Sequence, residues 1–395
     1  MNKFSPILSY AVFAFSVSII LLCSVSVIFP ALIQSVTSEF SDFPFYTPLV
    51  DPFELGVLAV PFVVLNGMIL LIGIVYYKKH FSLERLFDFD VSNRIAMIVI
   101  AIILSVYIAA TVGEFAVEES WNDFSRIQSV VIDRGIENLQ GFELYVKYTL
   151  LTVSLNFFGD MRVVPFLASI ALLVTTFFIA KEITKKRVPG IIAMVLVLQS
   201  NIFLSYDTSA TYSNFWILFY VLSLYLILRK WQLSHMSFVL SIFSKSLSAI
   251  FLPMTMFFVL NNTKGRRRIY LTVSYGALMI AGVFAASNSN IMFGDATYLP
   301  ENFTKGIESF SYQLRFDPII LIFLLPLSVM LFLKSLKGYT QANSIQVLIF
   351  GFLLVPPLLI TFTEQTNEPY RLIPLVIFFA VGVSALLGKI KQDEP

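Results

Sequence analysis

Uncharged apolar runs recur along the chain and are separated by short polar segments. A run of about 20 such residues is long enough to cross the hydrocarbon core of a bilayer. The runs cover 6–33, 57–77, 95–113, 163–180, 190–206, 213–228, 269–287, 318–333, 345–363 and 372–388. Together with two short segments within 236–260, this pattern predicts an all-α polytopic membrane protein with about twelve transmembrane helices.

Composition agrees with this interpretation. Hydrophobic residues make up 57% of the chain and charged residues 13%, whereas a soluble domain carries about 25% charged residues. The single cysteine, Cys23, excludes an intramolecular disulfide and a thiolate metal cluster. Membrane lipid is therefore the expected surrounding, and no nucleic-acid partner is expected.

The distribution of Lys and Arg predicts the orientation, because short cytoplasmic loops carry an excess of these residues. The tracts at 78–94, 181–187, 229–232, 261–268 and 333–338 are basic. They are placed in the cytoplasm with both termini of a multi-pass protein of the cell membrane. Segments 114–162 and 288–317 become outer loops. Residues 1–94 are interpreted as two N-terminal transmembrane helices, and 95–395 as the core domain.

One segment, 236–260, departs from the regular alternation, because both of its flanks are basic. It is too short for two full crossings, so we expect two short helices with a break near 244–246. Lys245 lies at this break inside an apolar segment, where a charge costs roughly 2.5–3.5 kcal/mol. A lysine that snorkels to the interface and a lysine that faces a polar cavity are both open alternatives.

The outer loop 114–162 begins with a tight acidic cluster of Glu114, Glu118 and Glu119 at the end of an apolar helix. Apolar residues at helical spacing over 124–131 predict an amphipathic helix on the membrane surface. A second apolar helix is predicted over 144–158 and is too short to span. The loop would then cover the glutamates, although acids at a helix end are more often simply solvated.

Five motifs now occur in a familiar order. They are the Glu-Glu segment "EESWNDFSRIQSVVIDRG" (118–135), "NFFGDMRVVP" (156–165), a helix pair over 191–230 with a polar corner, "SKSLSAIFLP" (244–253) and "EPYRLIP" (368–374). In this order the chain resembles the GT-C class of integral membrane glycosyltransferases. The most similar type is that of the dolichyl-phosphate-mannose-protein mannosyltransferases, glycosyltransferase family 39. The resemblance covers about residues 95–390.

The chain also departs from this family. Its acidic pair is Glu-Glu instead of Asp-Glu, and "GFELYVK" stands where the family usually has His-Pro-Pro. The Trp-Trp-Asp signature of oligosaccharyltransferases is missing, which argues against transfer of a complete oligosaccharide to asparagine.

The resemblance implies transfer of a sugar from a polyprenyl phosphate to an acceptor hydroxyl on the outer face, with inversion of the anomeric centre. A carboxylate would accept the acceptor proton, and cations would hold the departing phosphate. For the base the candidates are, in order, Glu118, Glu119 and Glu114. For substrate binding they are Lys245, Arg371, Arg162, Asp207 and Tyr370.

The implied partners are a polyprenyl-phosphate-linked sugar donor and an acceptor that can be protein, lipid or glycan. No organic cofactor is expected, and no metal-ligand constellation is evident, since His80 and His235 are both predicted to lie on the cytoplasmic side. The metal requirement stays open.

Two other functions compete with this hypothesis. A transporter with a midplane site near Lys245 would use the broken helix, but no duplicated half with a matching break occurs. A non-enzymatic membrane scaffold leaves the acidic cluster unexplained.

Overall fold

The computed structural model describes residues 4–29, 51, 53–78, 89–121, 123–134, 145–288, 317–362 and 369–388, with isolated positions between 303 and 314. Described residues outside loops are helical, and none of them forms a strand, so the predicted all-α class is confirmed. The α-helices are, in chain order, α1 (Phe4–Ile28), α2 (Ala59–Lys78), α3 (Asn93–Thr111), α4 (Phe124–Ser129), α5 (Tyr145–Phe158), α6 (Val163–Thr184), α7 (Arg187–Leu198), α8 (Asn201–Tyr206), α9 (Phe215–Arg229), α10 (Ser234–Ser244), α11 (Leu252–Asn262), α12 (Gly265–Asn288), α13 (Pro318–Leu336), α14 (Thr340–Phe362) and α15 (Ile373–Leu386).

Four of the described helical segments are long and apolar enough to cross a membrane. They are Asn93–Ala116, Val163–Thr184, Pro318–Leu336 and Pro369–Leu386. Several other apolar helices are shorter, including Arg187–Leu198 and Phe215–Arg229. The helices therefore indicate a membrane protein, while the count of about twelve crossings stays a prediction.

The chain divides into two compact units. One comprises Met1–Leu86, Ser287–Leu386 and Ile390–Pro395, and the other Phe87–Ala286 with Leu387–Lys389. These boundaries do not coincide with the predicted division at residue 94, because α1 and α2 belong to the same unit as the C-terminal helices. The predicted outer loop 288–317 lies mostly outside the described residues.

In the first unit, α1 packs against α13 and α14. The rings of Phe13 and Phe332 stack with centroids 4.0 Å apart. The buried hydroxyl of Ser9 donates to Oδ1 of Asn343 at 2.9 Å. Lys334 Nζ donates to the carbonyl of Leu386 at 2.9 Å, which satisfies an acceptor at the end of α15.

In the second unit, α6 packs closely against α7 and α9. A Cβ added at Gly190 would lie 2.8 Å from the carbonyl oxygen of Phe177, so this close approach of α6 and α7 requires glycine. Helix α10 lies along α9, where Ser237 Oγ donates to the carbonyl of Phe219 and Ser241 Oγ to that of Trp216, both at 2.7 Å.

The helix break predicted within 236–260 is present. Helix α10 ends at Ser244, Lys245 is extended (φ −161°, ψ 117°), and a 3-10 helix runs over Ser246–Phe251 before α11 begins. The serines that flank the break offer side-chain oxygens that compete with helical hydrogen bonds. Pro253, in the first turn of α11, needs no amide partner there. Lys245 therefore sits where regular helix stops.

Helix α4 is where predicted, but its apolar face contacts protein. Ile127 and Val131 are buried in one cluster with Leu151 of α5 and Ala168 of α6. The expectation that this face lies on the membrane surface is therefore corrected: the second unit itself covers the face. Helix α5 matches the second predicted helix of the loop.

Candidate functional site at the end of helix α3

The apolar helix α3 ends in the predicted acidic segment. Ser92 caps its start by accepting from the amide of Ile95 at 3.3 Å. After Thr111 the chain tightens into a 3-10 helix, Val112–Ala116, and then becomes extended at Val117 (φ −108°, ψ 135°). Glu114 thus lies in the last tight turn, and the two following glutamates lie in the extended segment.

Arg162 holds this turn in place. Its guanidinium donates to the backbone carbonyls of Glu114 (3.2 Å), Phe115 (2.8 Å) and Val117 (2.7 Å). It also forms an ion pair with Asp160 at 3.2 Å. Carbonyls at a helix end lack donors within the helix, and the Arg162 guanidinium provides hydrogen-bond donors to them. Arg162 was predicted as a further cation for the donor phosphate, but its guanidinium already binds these acceptors within the protein.

Glu119 binds a second segment of the chain, the loop after α8. One carboxylate oxygen accepts from Ser209 Oγ (2.6 Å) and from the amide of Thr211 (3.1 Å), and the other accepts from the amide of Ala210 (2.9 Å). Each lone pair used in this way is unavailable to a substrate. Glu119 therefore holds the 208–211 loop in place. The sequence did not suggest this structural role.

The other two glutamates are exposed. Glu114 accepts from Thr208 Oγ1 at 3.0 Å, so it also contacts the 208–211 loop. No described residue donates a hydrogen bond to the carboxylate of Glu118. Of the three predicted bases, Glu118 is the one whose oxygen atoms are open to an incoming hydroxyl.

Asp207 is the buried acid of the site. Only 1% of its surface is exposed. Its Oδ2 accepts from the Tyr107 hydroxyl at 2.5 Å, and its backbone carbonyl accepts from Ser169 Oγ at 2.7 Å. Oδ1 has no partner among the described residues. Asp207 follows a helix end, where an acid is ordinarily solvated, but residues of α3 and α6 enclose it here.

This environment changes the acidity of Asp207. Burial raises the pKa of Asp207 to about 7, and the negative charge of Glu114 adds to the rise, whereas the hydrogen bond from Tyr107 opposes it. The cause is desolvation, which disfavours the ionised form of a carboxyl group.

Aromatic rings flank the acidic segment. Trp121 stacks on Tyr206 with centroids 4.9 Å apart and meets Tyr212 edge-on at 5.4 Å. The Tyr212 hydroxyl donates to Oδ2 of Asp123 at 3.3 Å. These contacts join the start of α4 to the residues that flank the 208–211 loop.

Lys147 is a functional candidate that sequence reasoning missed. It lies in α5, is buried, and donates from Nζ to the carbonyl of Thr211 at 2.5 Å. The available signal was a single charge between Val146 and Tyr148 in an otherwise uncharged helix. The 208–211 loop is thus bonded to the carboxylate of Glu119 through its amides and to the ammonium of Lys147 through a carbonyl.

Lys245 is half-buried, and its Nζ lies 5.4 Å from the centre of the Trp216 ring. An ammonium over an indole face is stabilised by the ring quadrupole even when it is partly removed from water. This contact favours a side chain directed toward protein over one that snorkels along lipid.

Arg371 and Tyr370 belong to the first unit, whereas the other predicted site residues belong to the second. Tyr370 is buried in the 3-10 helix Pro369–Leu372. Nε of Arg371 donates to its hydroxyl at 3.3 Å, and the guanidinium carbon lies 5.7 Å from the Tyr370 ring centre. The predicted grouping of Arg371 with Lys245 stays a prediction.

The described residues contain no group of three or more His, Cys, Asp or Glu side chains that could hold a metal ion. Comparison of the chain with protein-family models, with curated proteins and with solved structures finds no match.

The first prediction concerns the stability of Asp207→Asn as a function of pH. In the folded protein Asp207 keeps its proton up to about pH 7, whereas in the unfolded chain it loses it near the ordinary pKa of 3.8. Between these values the native state binds more protons, so the free energy of unfolding falls as pH rises, by up to about 1.4 kcal/mol per pH unit. The asparagine variant should lack this fall.

Unfolding midpoints in detergent at pH 5 and pH 8 would measure the difference. Asp133→Asn, which changes an exposed acid, is the matched control and should keep the wild-type slope. Equal slopes for wild type and Asp207→Asn would show that Asp207 is ionised throughout.

Proposed function

We propose that this chain is a membrane glycosyltransferase that moves a sugar from a polyprenyl phosphate to an acceptor hydroxyl, with inversion. The observation that carries the proposal is an exposed, uncommitted carboxylate, Glu118, at the end of a membrane-length apolar helix. It lies beside two glutamates that are bonded to the 208–211 loop. This arrangement suits a reaction between a lipid-borne donor and an acceptor at the membrane surface.

Glu118 is proposed as the general base. A base must come within hydrogen-bond reach of the hydroxyl that it deprotonates, and Glu118 is open to solvent. Glu119 is instead proposed to hold the site together. Asp207 is too enclosed to meet an acceptor in this conformation. It is proposed to position the start of the loop through its hydrogen bond with Tyr107 of α3.

Lys245 is proposed as the cation for the donor phosphate. Its position at a helix break in an apolar segment supports this role, because a charge is retained there only where it has a partner. The resemblance assigns Arg371 the same role. The active site is proposed to face the outer side of the membrane, with both termini in the cytoplasm.

The test is a transfer assay with the purified full chain and a polyprenyl-phosphate-linked hexose in detergent. Release of polyprenyl phosphate is measured, because water can replace an unidentified acceptor. Lys245→Met should weaken donor binding by about 10-fold or more, since a charge-assisted hydrogen bond contributes roughly 1.5–3 kcal/mol. Lys337→Met, which changes an exposed lysine, is the matched control.

A transporter is the alternative that the break at Lys245 favours, since discontinuous helices form substrate sites in transporters. Uptake of a solute into liposomes that contain the chain, without cleavage of any tested sugar donor, would replace the enzyme proposal with this one. Cleavage that depends on Lys245 would exclude a purely transporting role.

A further inference from the structure

The second unit carries a concentration of positive charge away from the acidic segment, at the opposite end of α6. We call it the basic end and define it by Arg229, Lys230, Arg266, Arg267 and Arg268. Arg229 is the last residue of α9, Lys230 follows it, and the three arginines lie in the first turn of α12. The ring of Trp231 stacks on that of Tyr270 with centroids 5.9 Å apart, so the two tracts are adjacent.

Among the described residues, Arg229 is the member of the basic end that forms an ion pair, although Glu182 also attracts Arg267 at longer range. Glu182, at the end of α6, forms ion pairs with Lys185 and, at 2.7 Å, with Arg229. Asp90 pairs with Arg187 at 2.7 Å. These are the carboxylates that the structure describes at this end, and neither forms an ion pair with Lys230 or with the arginines of α12.

Arg267 has unused donors. Its Nε and Nη2 atoms are shielded from solvent and have no hydrogen-bond partner among the described residues. The guanidinium is a planar fork that matches the oxygen atoms of a phosphate. Because these two atoms are shielded in this conformation, a phosphate reaches them once the partly exposed side chain turns outward, and the gain is a partner for donors that otherwise have none.

Exposed apolar side chains border these cations. Leu233 is 50% exposed, Met236 59%, Ile269 63% and Tyr270 58%. A soluble phosphate or a nucleic acid would leave this apolar surface in water. A phospholipid would cover it with an acyl chain while its phosphate meets the arginines.

We infer that the basic end binds the headgroup of an anionic phospholipid, with Arg267 as the principal phosphate ligand. The inference follows from charge complementarity together with the adjoining apolar surface. It is independent of the proposed glycosyl transfer, since none of its residues belongs to the acidic segment or the helix break.

The experiment uses the full chain in nanodiscs of phosphatidylcholine, alone or with phosphatidylglycerol added. Phosphatidylglycerol should raise the unfolding temperature of the wild type, because a ligand that binds only the folded state stabilises it. Arg267→Gln should reduce this increase to less than about half. Arg126→Gln, which removes one exposed charge near the acidic segment, should keep it.

An equal increase in all three proteins would overturn the inference. So would an equal increase produced by inorganic phosphate in phosphatidylcholine nanodiscs, since the ligand would then be a soluble anion. Should Arg267→Gln not fold, the double variant Arg266→Gln and Arg268→Gln decides the question, because it removes two charges of the basic end and leaves Arg267 unchanged. An undiminished response of that variant to phosphatidylglycerol would also overturn the inference.

Discussion

Glu118→Gln is expected to reduce release of polyprenyl phosphate from a sugar donor by at least about 10²-fold, the size typical of general-base catalysis. Glutamine keeps the length and the hydrogen bonding of glutamate but cannot accept the acceptor proton. Because no described residue bonds to the Glu118 carboxylate, its replacement should leave the unfolding temperature and donor binding unchanged. The measurement is turnover of the reconstituted chain, with donor affinity determined separately.

Two further variants make this result specific. Asp133→Asn changes an exposed acid of the same loop and should turn over normally. Glu119→Gln should unfold at a lower temperature. The new NH₂ group would face the hydrogen-bond donors of residues 209–211, which now bind the carboxylate oxygens. Near-normal turnover of Glu118→Gln would move the base to Glu114, the other exposed glutamate of the segment.

Arg162→Met should lower the free energy of unfolding by about 3 kcal/mol, because the buried guanidinium bonds several backbone carbonyls and a hydrogen bond from a charged group contributes roughly 1.5–3 kcal/mol. The carbonyls of Phe115 and Val117 would lose the guanidinium as their donor, and the Glu114 carbonyl and the Asp160 carboxylate would each lose one of their donors. Methionine fills much of the same volume, so the loss reports hydrogen bonds and charge instead of a cavity. Thermal unfolding in detergent gives the measurement.

Arg126→Met, at an exposed arginine of α4, is the matched control and should leave stability nearly unchanged. If Arg162 instead bound the donor phosphate, Arg162→Met would keep wild-type stability and lose donor affinity. That outcome would restore the role that the resemblance gave to this residue.

Features set by local sequence could be predicted. The helix break at Lys245 was visible because serines and a charge interrupt an apolar run, and α5 was visible because its apolar stretch is bounded by polar residues. The three glutamates were visible as an acidic segment at the end of an apolar helix. Each of these signals lies within about one helix length of chain.

Features set by distant contacts could not be predicted. Glu119 meets its partners about 90 residues later in the chain, so nothing near it distinguishes it from Glu118. Asp207 reads as a polar corner, and its burial follows from contacts with Tyr107 and Ser169 on other helices. The inclusion of α1 and α2 in a unit with the C-terminal helices is equally non-local.

The two charges that hold the 208–211 loop also set an order of events during synthesis. Glu119 and Lys147 both precede the loop in the chain, so the ribosome delivers them first. Until residue 211 emerges, both lack the backbone partners that they have in the finished protein. Bringing such distant segments together costs chain entropy, but here the later segment meets partners that are already tethered to neighbouring helices. A nascent chain that stops before this loop would lack the hydrogen bonds that residues 209–211 give to Glu119 and Lys147.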